Sequence, residues 1–291
     1  MLLQQLADGI ATGAIYGALA LAIVLVYRAS RTLNFAQGEL ALLGAYVSWQ
    51  LAACGVPIWI AVVISMVVLA ALSAGIERVL IRPLVRRHQA LPLIIVTLGL
   101  MIALNAIIGW AWTYQTKEVP ALFGAGSVEL GGAAVSRQDV GIVFSVIVVA
   151  VGLAALFGLT RVGLRMRAAV SAPESAELSG VSTGLTMTIG WAIAGAVGAL
   201  AGTLIAPELF LHPGMMAPVL IYAFAAATLG GLQSPVGALV GGIVVGVVEN
   251  LAGSYLPNGS EVKQVVALVI IVVVLLVRPQ GLFGRREVVR A

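Results

Sequence analysis

The chain has 291 residues, of which 61% are hydrophobic and only 10% charged, with a mean hydropathy of +1.09; soluble domains carry roughly 25% charged residues. Its 16 Lys and Arg and 12 Asp and Glu are too few to cover a water-facing surface, which excludes a soluble fold and predicts an all-α polytopic transmembrane bundle. The net charge of +4 does not point to nucleic acid, because the arginines sit in short clusters between apolar runs, as in membrane orientation and headgroup contact.

The first apolar run, 6–27, has no Lys or Arg before it, so it reads as a permanent helix rather than a cleaved signal. Runs at 58–76, 91–112, 140–159 and 185–206 are also long enough to cross a bilayer. Those at 40–53, 219–232, 236–251 and 264–277 are shorter and read as short, tilted or broken spans, giving eight or nine in all. If all nine cross, Arg28, Arg31, Arg78, Arg82, Arg86, Arg87, Arg161, Arg165, Arg167, Arg278, Arg285, Arg286 and Arg290 share the cytoplasmic side. That places the C-terminus inside and the N-terminus outside. The polar stretch 113–139 reads as an external loop, not a domain, and no soluble catalytic domain is expected anywhere in residues 1–291. Neither Lys117 nor Lys263 follows a glycine, so the chain lacks a phosphate-binding P-loop and any nucleotide hydrolysis belongs to another chain. The lone Cys54 cannot form an intrachain disulfide, and His88 and His212 have no His or Cys neighbours, so no metal centre is expected.

Gly9, Gly13 and Gly17 stand four apart, as do Gly198 and Gly202, Gly237 and Gly241, and Gly242 and Gly246. This spacing lets helix backbones approach closely in lipid and predicts tight helix packing. Segments 32–38 and 228–234 share Thr, Leu and Gln at matching positions, each between apolar runs, and are candidates for an internal repeat with broken helices. Among the acidic residues near apolar runs Glu39 and Glu249 stand out, and each reads either as a helix-end or interface carboxylate or as a coupling group. In 160–183, Ser171 and Glu174 have capping-box spacing, Pro173 suits a first turn and Gly180 a left-handed C-terminal cap, which predicts a short cytoplasmic helix that docks on a partner.

These residues resemble the permease subunit of branched-chain amino acid ABC importers. The resemblance is carried by Gly13-Ala14-Ile15-Tyr16-Gly17, Tyr27-Arg28-Ala29-Ser30, Leu33-Asn34-Phe35-Ala36-Gln37-Gly38-Glu39, and the region from Gly214 through Leu229-Gly230-Gly231-Leu232 and Ser234-Pro235-Val236-Gly237-Ala238 to Gly246 and Glu249. It implies a multi-pass inner-membrane permease that performs no bond chemistry and holds no cofactor itself. ATP and Mg would be bound by two cytoplasmic ATPase subunits, a second similar permease would complete the pore, and an extracytoplasmic binding protein would deliver substrate. The segment 160–183 would be the coupling segment, with Arg165, Arg167, Ser171, Glu174, Ala176 and Gly180 toward the ATPase. Ala172 departs from the Asp or Asn frequent there, which leaves the helix start to Ser171. Pathway candidates are Asn34, Phe35, Gln37, Glu39, Gly230, Gly231 and Glu249. The absence of an evident buried ion pair in the sequence fits a passive pathway opened by partners. An ion-coupled secondary carrier working through Glu39 or Glu249, and an ABC permease for an amide or urea-like substrate, are the alternatives.

Overall fold

A computed structural model describes residues 2–87, 90–124, 126–130, 133–256, 259–278 and 280–284; Arg285, Arg286, Arg290 and His88 lie outside them. Apolar runs become helices because in lipid each backbone amide and carbonyl must be bonded within its own segment. Helix α1 (Leu2–Ser30) stops at Arg31, whose φ is 56°, and after a break at 31–36 the chain enters α2 (Gln37–Ala53). Pro57 leads into α3 (Ile58–Ile76), which continues through one π-helical turn (Glu77–Ile81) into α4 (Arg82–Arg86). Then comes α5 (Ala90–Trp112). The polar connection after it carries a small antiparallel hairpin, β1 (Ser127–Leu130) with β2 (Ala133–Ser136), Ser127 facing Ser136. Ser136 then caps α6 (Arg137–Leu159) by accepting from the Asp139 N–H at 3.0 Å. Two short helices, α7 (Arg161–Ser171) and α8 (Pro173–Leu178), lead to α9 (Thr183–Leu209). A second break at 210–215 precedes α10 (Met216–Gly230), α11 (Pro235–Tyr255) and α12 (Gly259–Val277).

Among the described residues, α1, α3 with its extension to Val85, α5, α6, α9 and α11 are long and apolar enough to cross a membrane. With the shorter α2, α10 and α12 they account for the nine apolar runs. The run at 236–251 belongs to a helix of 21 residues, because Ala252 to Tyr255 continue α11 past its apolar part. Helices α1 and α9 form the core, and α3, α5, α6 and α12 turn residues such as Val67, Ile102, Val151 and Leu276 outward, as a bundle in lipid requires.

An inverted internal repeat organises the bundle. The long helices α1 and α9 each end on a non-glycine residue of positive φ, Arg31 at 56° and Phe210 at 57°. Each is followed by a break and a short helix, α2 of 17 residues and α10 of 15. The repeat then pairs crosswise, α1 packing most extensively on α11 and α9 on α3. Ala29 lies against Gly190, while Asp8 shares a cavity with Glu208, so α1 and α9 run antiparallel. This corrects the pairing suggested by the letters of 32–38 and 228–234: the counterpart of the 31–36 break is 210–215. The shared letters are turn and cap chemistry, which recurs wherever a helix restarts.

The glycine spacing is used where the repeats cross. A Cβ on Gly13 would stand 2.7 Å from the Gly242 carbonyl oxygen, and one on Gly246 would stand 2.3 Å from the Gly13 Cα. Backbone meets backbone along α1 and α11, the close approach that small residues permit in membranes. A Cβ on Gly202 would likewise lie 2.2 Å from the Ala41 carbonyl oxygen, seating α2 against α9.

Candidate functional site

The 31–36 break is buried and braced by its own polar side chains. Asn34 Oδ1 accepts the Ala36 N–H at 3.1 Å, Asn34 Nδ2 donates to Gln37 Oε1 at 3.2 Å, and Gln37 Nε2 donates to the Ala194 carbonyl of α9 at 3.1 Å. Asn34 and Gln37 have no exposed surface, and their hydrogen bonds hold the chain in place. Gln37→Leu is expected to destabilise the protein by about 1–3 kcal/mol, because the buried Asn34 amide loses its acceptor. The check is the thermal midpoint in detergent, where an unchanged value would refute the bracing role.

Phe35 packs on Phe224 of α10 with centroids 5.5 Å apart, and Gly38 lies against Leu220 of the same helix. Glu39, only 8% exposed, accepts from Asn105 Nδ2 of α5 at 3.1 Å. The same amide donates to the Pro213 carbonyl at 2.8 Å. The first turn of α2, the middle of α5 and the second break therefore meet at one point, with the starts of both short helices inside the bundle. Discontinuous helices that begin at this depth present their N-terminal amides to anionic groups, an arrangement recurrent in transporters.

The other pathway candidates, Glu249 on α11 and Gly230 and Gly231 at the end of α10, lie away from this point. Glu249 faces the hydroxyls of Tyr16 and Tyr222, whose rings stack at 4.8 Å, and its Oε1 lies 3.6 Å from Lys263 Nζ. Gly230 and Gly231 form the α10–α11 turn, where Gly231 has φ 100°. The segment after α12 covers this turn: the Leu282 N–H donates to the Leu229 carbonyl at 2.8 Å and the Phe283 N–H to that of Gly230 at 3.2 Å. Gly281 fits against Gly231 with no room for a Cβ, which would stand 2.5 Å from the Gly231 Cα.

In the 160–183 segment, Arg165, Arg167, Ser171 and Gly180 are exposed and Ala176 is buried; the side chain of Glu174 lies outside the described residues. The capping-box reading needs correction. Ser171 is the last residue of α7, and Ala172, which precedes α8, gives it no side-chain cap. Val162, Met166 and Val170 carry the helical pattern through to Ser171, and Pro173 forces the residue before it out of helical geometry, Ala172 standing at φ −149° and ψ 80°. The end of α8 is as expected. Gly180 has φ 79°, its N–H donates to the Glu177 carbonyl at 2.9 Å, and the Val181 N–H reaches back to the Ala176 carbonyl at 2.9 Å, a Schellman closure. Ser182 then caps α9 by accepting from the Leu185 N–H at 3.2 Å, and Thr183 donates to Glu177. A groove of about 200 Å³ between α7 and α9 is lined by Val162, Arg165, Gly180, Val181 and Leu185.

Two features escape a linear reading of the sequence. At the opposite end, a cavity of about 400 Å³ gathers Asp8 and Thr12 of α1, Ser136 of β2, Asp139 of α6 and Glu208 of α9. Beside the 160–183 segment lies an ion pair that corrects the expectation of none. Arg82 forks onto Glu77, Nε to Oε1 at 2.8 Å and Nη2 to Oε2 at 2.7 Å, with Glu77 entirely buried. Nη2 also donates to the Gly184 carbonyl at 2.8 Å and contacts Thr188 Oγ1, which itself donates to Glu77 Oε2 at 2.9 Å.

Comparison with known proteins adds the following. A family model described as the permease component of the branched-chain amino acid transport system matches residues 5–275. The chain is 31% identical to the high-affinity branched-chain amino acid transport system permease protein BraD of Pseudomonas aeruginosa, over 98% of this chain and 97% of that one. It is 32% identical to LivH of Escherichia coli K12, a permease protein of the same description, over 98% and 96%. Among solved structures, PsaBC from Streptococcus pneumoniae in complex with a Fab superposes with a TM-score of 0.51 at 13% identity, over 96% of this chain and 92% of that one, a likeness of fold.

Proposed function

This chain belongs to the family of permease components of branched-chain amino acid transport systems, and from that premise we propose that it forms one half of a pore importing branched-chain or related amino acids across the bacterial inner membrane. A second permease subunit completes the pore, two cytoplasmic ATPases supply energy from ATP and Mg, and an extracytoplasmic binding protein presents the substrate. The observation that carries this reading is the convergence of two broken helices, where Glu39, Asn105 and Pro213 tie the starts of α2 and α10 together inside the bundle. Such a junction of inverted repeats opens alternately to either side when the halves rock about it. Helices α7 and α8 form the ATPase contact, Arg165 and Arg167 giving it a basic face, and the C-terminus is cytoplasmic.

A mild-detergent pull-down from the native membrane, read by mass spectrometry, tests this. Two P-loop ATPases and a second permease are expected. A chain that purifies alone and moves leucine in liposomes under an ion gradient would overturn the reading and turn attention to Glu39 and Glu249. Within the complex, Gly180→Pro is expected to leave insertion intact and to uncouple ATP hydrolysis from uptake, since proline is locked near φ −65° where the native residue stands at 79°. Glu174→Arg, reversing charge on the contact helix, should do the same. Normal uptake in both variants would refute the coupling role of α8.

A further inference from the structure

The path from helix α8 to α3 has two links. One is covalent: the Schellman closure at Gly180, the Ser182 cap and then α9. The other is the Glu77 and Arg82 cluster, which joins the cytoplasmic end of α3 to the first turn of α9 within two residues of that cap. Arg82 holds the Gly184 carbonyl, Thr188 and both oxygens of Glu77 at once. Gly184 leaves room for the guanidinium, since a Cβ there would stand 3.3 Å from Arg82 Nη1. The pair closes over a π-helical turn, a local widening of the helix that is frequent at functional positions. Higher up, the same two helices touch closely, a Cβ on Gly195 standing 2.5 Å from the Leu69 carbonyl oxygen. Helices α3 and α9 thus meet through a rigid small-residue contact in the bundle and a directional polar clamp at the end nearest α8.

We propose that Glu77 and Arg82 are positioning residues for transport: they pass displacement of the coupling segment from the start of α9 to α3, so that both helices move together when the ATPases close. The inference rests on the function proposed above. Arginine suits this task because its planar fork fixes direction as well as distance, which a lysine at the same site does not. Two mild variants separate the clamp from simple folding. Arg82→Lys keeps the charge opposite Glu77 but loses the fork and the grip on Gly184, and Thr188→Val removes one arm of the cluster at nearly constant volume.

The test uses the complex purified from its native membrane and reconstituted in liposomes, with leucine uptake and ATP hydrolysis measured on the same preparation. Both variants are expected to hydrolyse ATP within about twofold of the unmodified complex while uptake falls about tenfold, the size of an ordinary coupling effect. The ATP spent per leucine moved therefore rises. A merely structural role lowers the thermal midpoint and both rates together and leaves that ratio alone, which would overturn the proposal. The unmodified chain is assayed first. If it carries no ATPase, the importer reading fails; if the assembly is intact and the ratio unchanged in both variants, only the clamp fails.

Discussion

Gly13→Leu is expected to abolish the folded protein, whereas Gly99→Leu leaves it intact. Both glycines lie within long apolar helices, and by composition the two substitutions are the same. Their surroundings differ. The Cβ of residue 13 would fall 2.7 Å from the Gly242 carbonyl oxygen and 2.8 Å from the Ile243 Cα, while nothing lies within 4 Å at residue 99. The obstacles at residue 13 are backbone atoms of α11, which no rotamer change can move aside, so α1 and α11 must separate along a seam that also includes Gly9, Gly17 and Gly246. Overpacking of this kind costs about 3 kcal/mol or more, and separating the two helices also opens the largest contact between the repeats. In lipid nothing compensates, because association there depends on close packing rather than on hydrophobic burial. Size-exclusion chromatography of the detergent-extracted variants should show a monodisperse peak for Gly99→Leu and aggregation or loss of Gly13→Leu. Equal profiles would mean that the seam is not what holds the repeats together.

The long helices were legible because apolar length is a sufficient signal in lipid: α1, α3, α5, α6 and α9 all overlap runs visible in the sequence. The four-residue glycine spacing foretold close packing, but not that Gly13 would meet Gly242 and Gly246. The buried Asn34-to-Glu39 run was visible as a motif; its role as a brace was not, because the acceptor on Ala194 and the amide of Asn105 come from distant helices. Ser171 misled because capping-box spacing ignores what Pro173 does to the residue before it. Glu77 and Arg82 were hidden for a geometric reason. Five residues apart, they lie about 140° away from each other around an α-helix, outside the three- and four-residue spacings that pair side chains. Only the π turn between them brings them to one face, and no local propensity in Glu77-Arg78-Val79-Leu80-Ile81 announces it. Arg82 was therefore counted with the basic residues that orient the membrane helices.

Arg82→Ala is expected to be the most damaging single substitution outside the glycine seam. It leaves the fully buried Glu77 carboxylate with Thr188 as its remaining donor in the cluster. Removing one partner of a buried pair typically costs about 3–5 kcal/mol, while replacing both partners by apolar residues of similar size is often neutral or stabilising. The double variant Glu77→Leu with Arg82→Leu should therefore regain most of the thermal midpoint that Arg82→Ala loses. A midpoint as low in the double variant as in the single one would show that the pair itself, and not the stranded carboxylate, sets stability here. The double variant also separates two properties that the native pair combines. Apolar side chains can fill the space between α3 and α9, but they cannot hold the Gly184 carbonyl in a fixed direction. A protein restored in stability yet still spending excess ATP per leucine is the expected result, because what the ion pair contributes beyond packing is orientation.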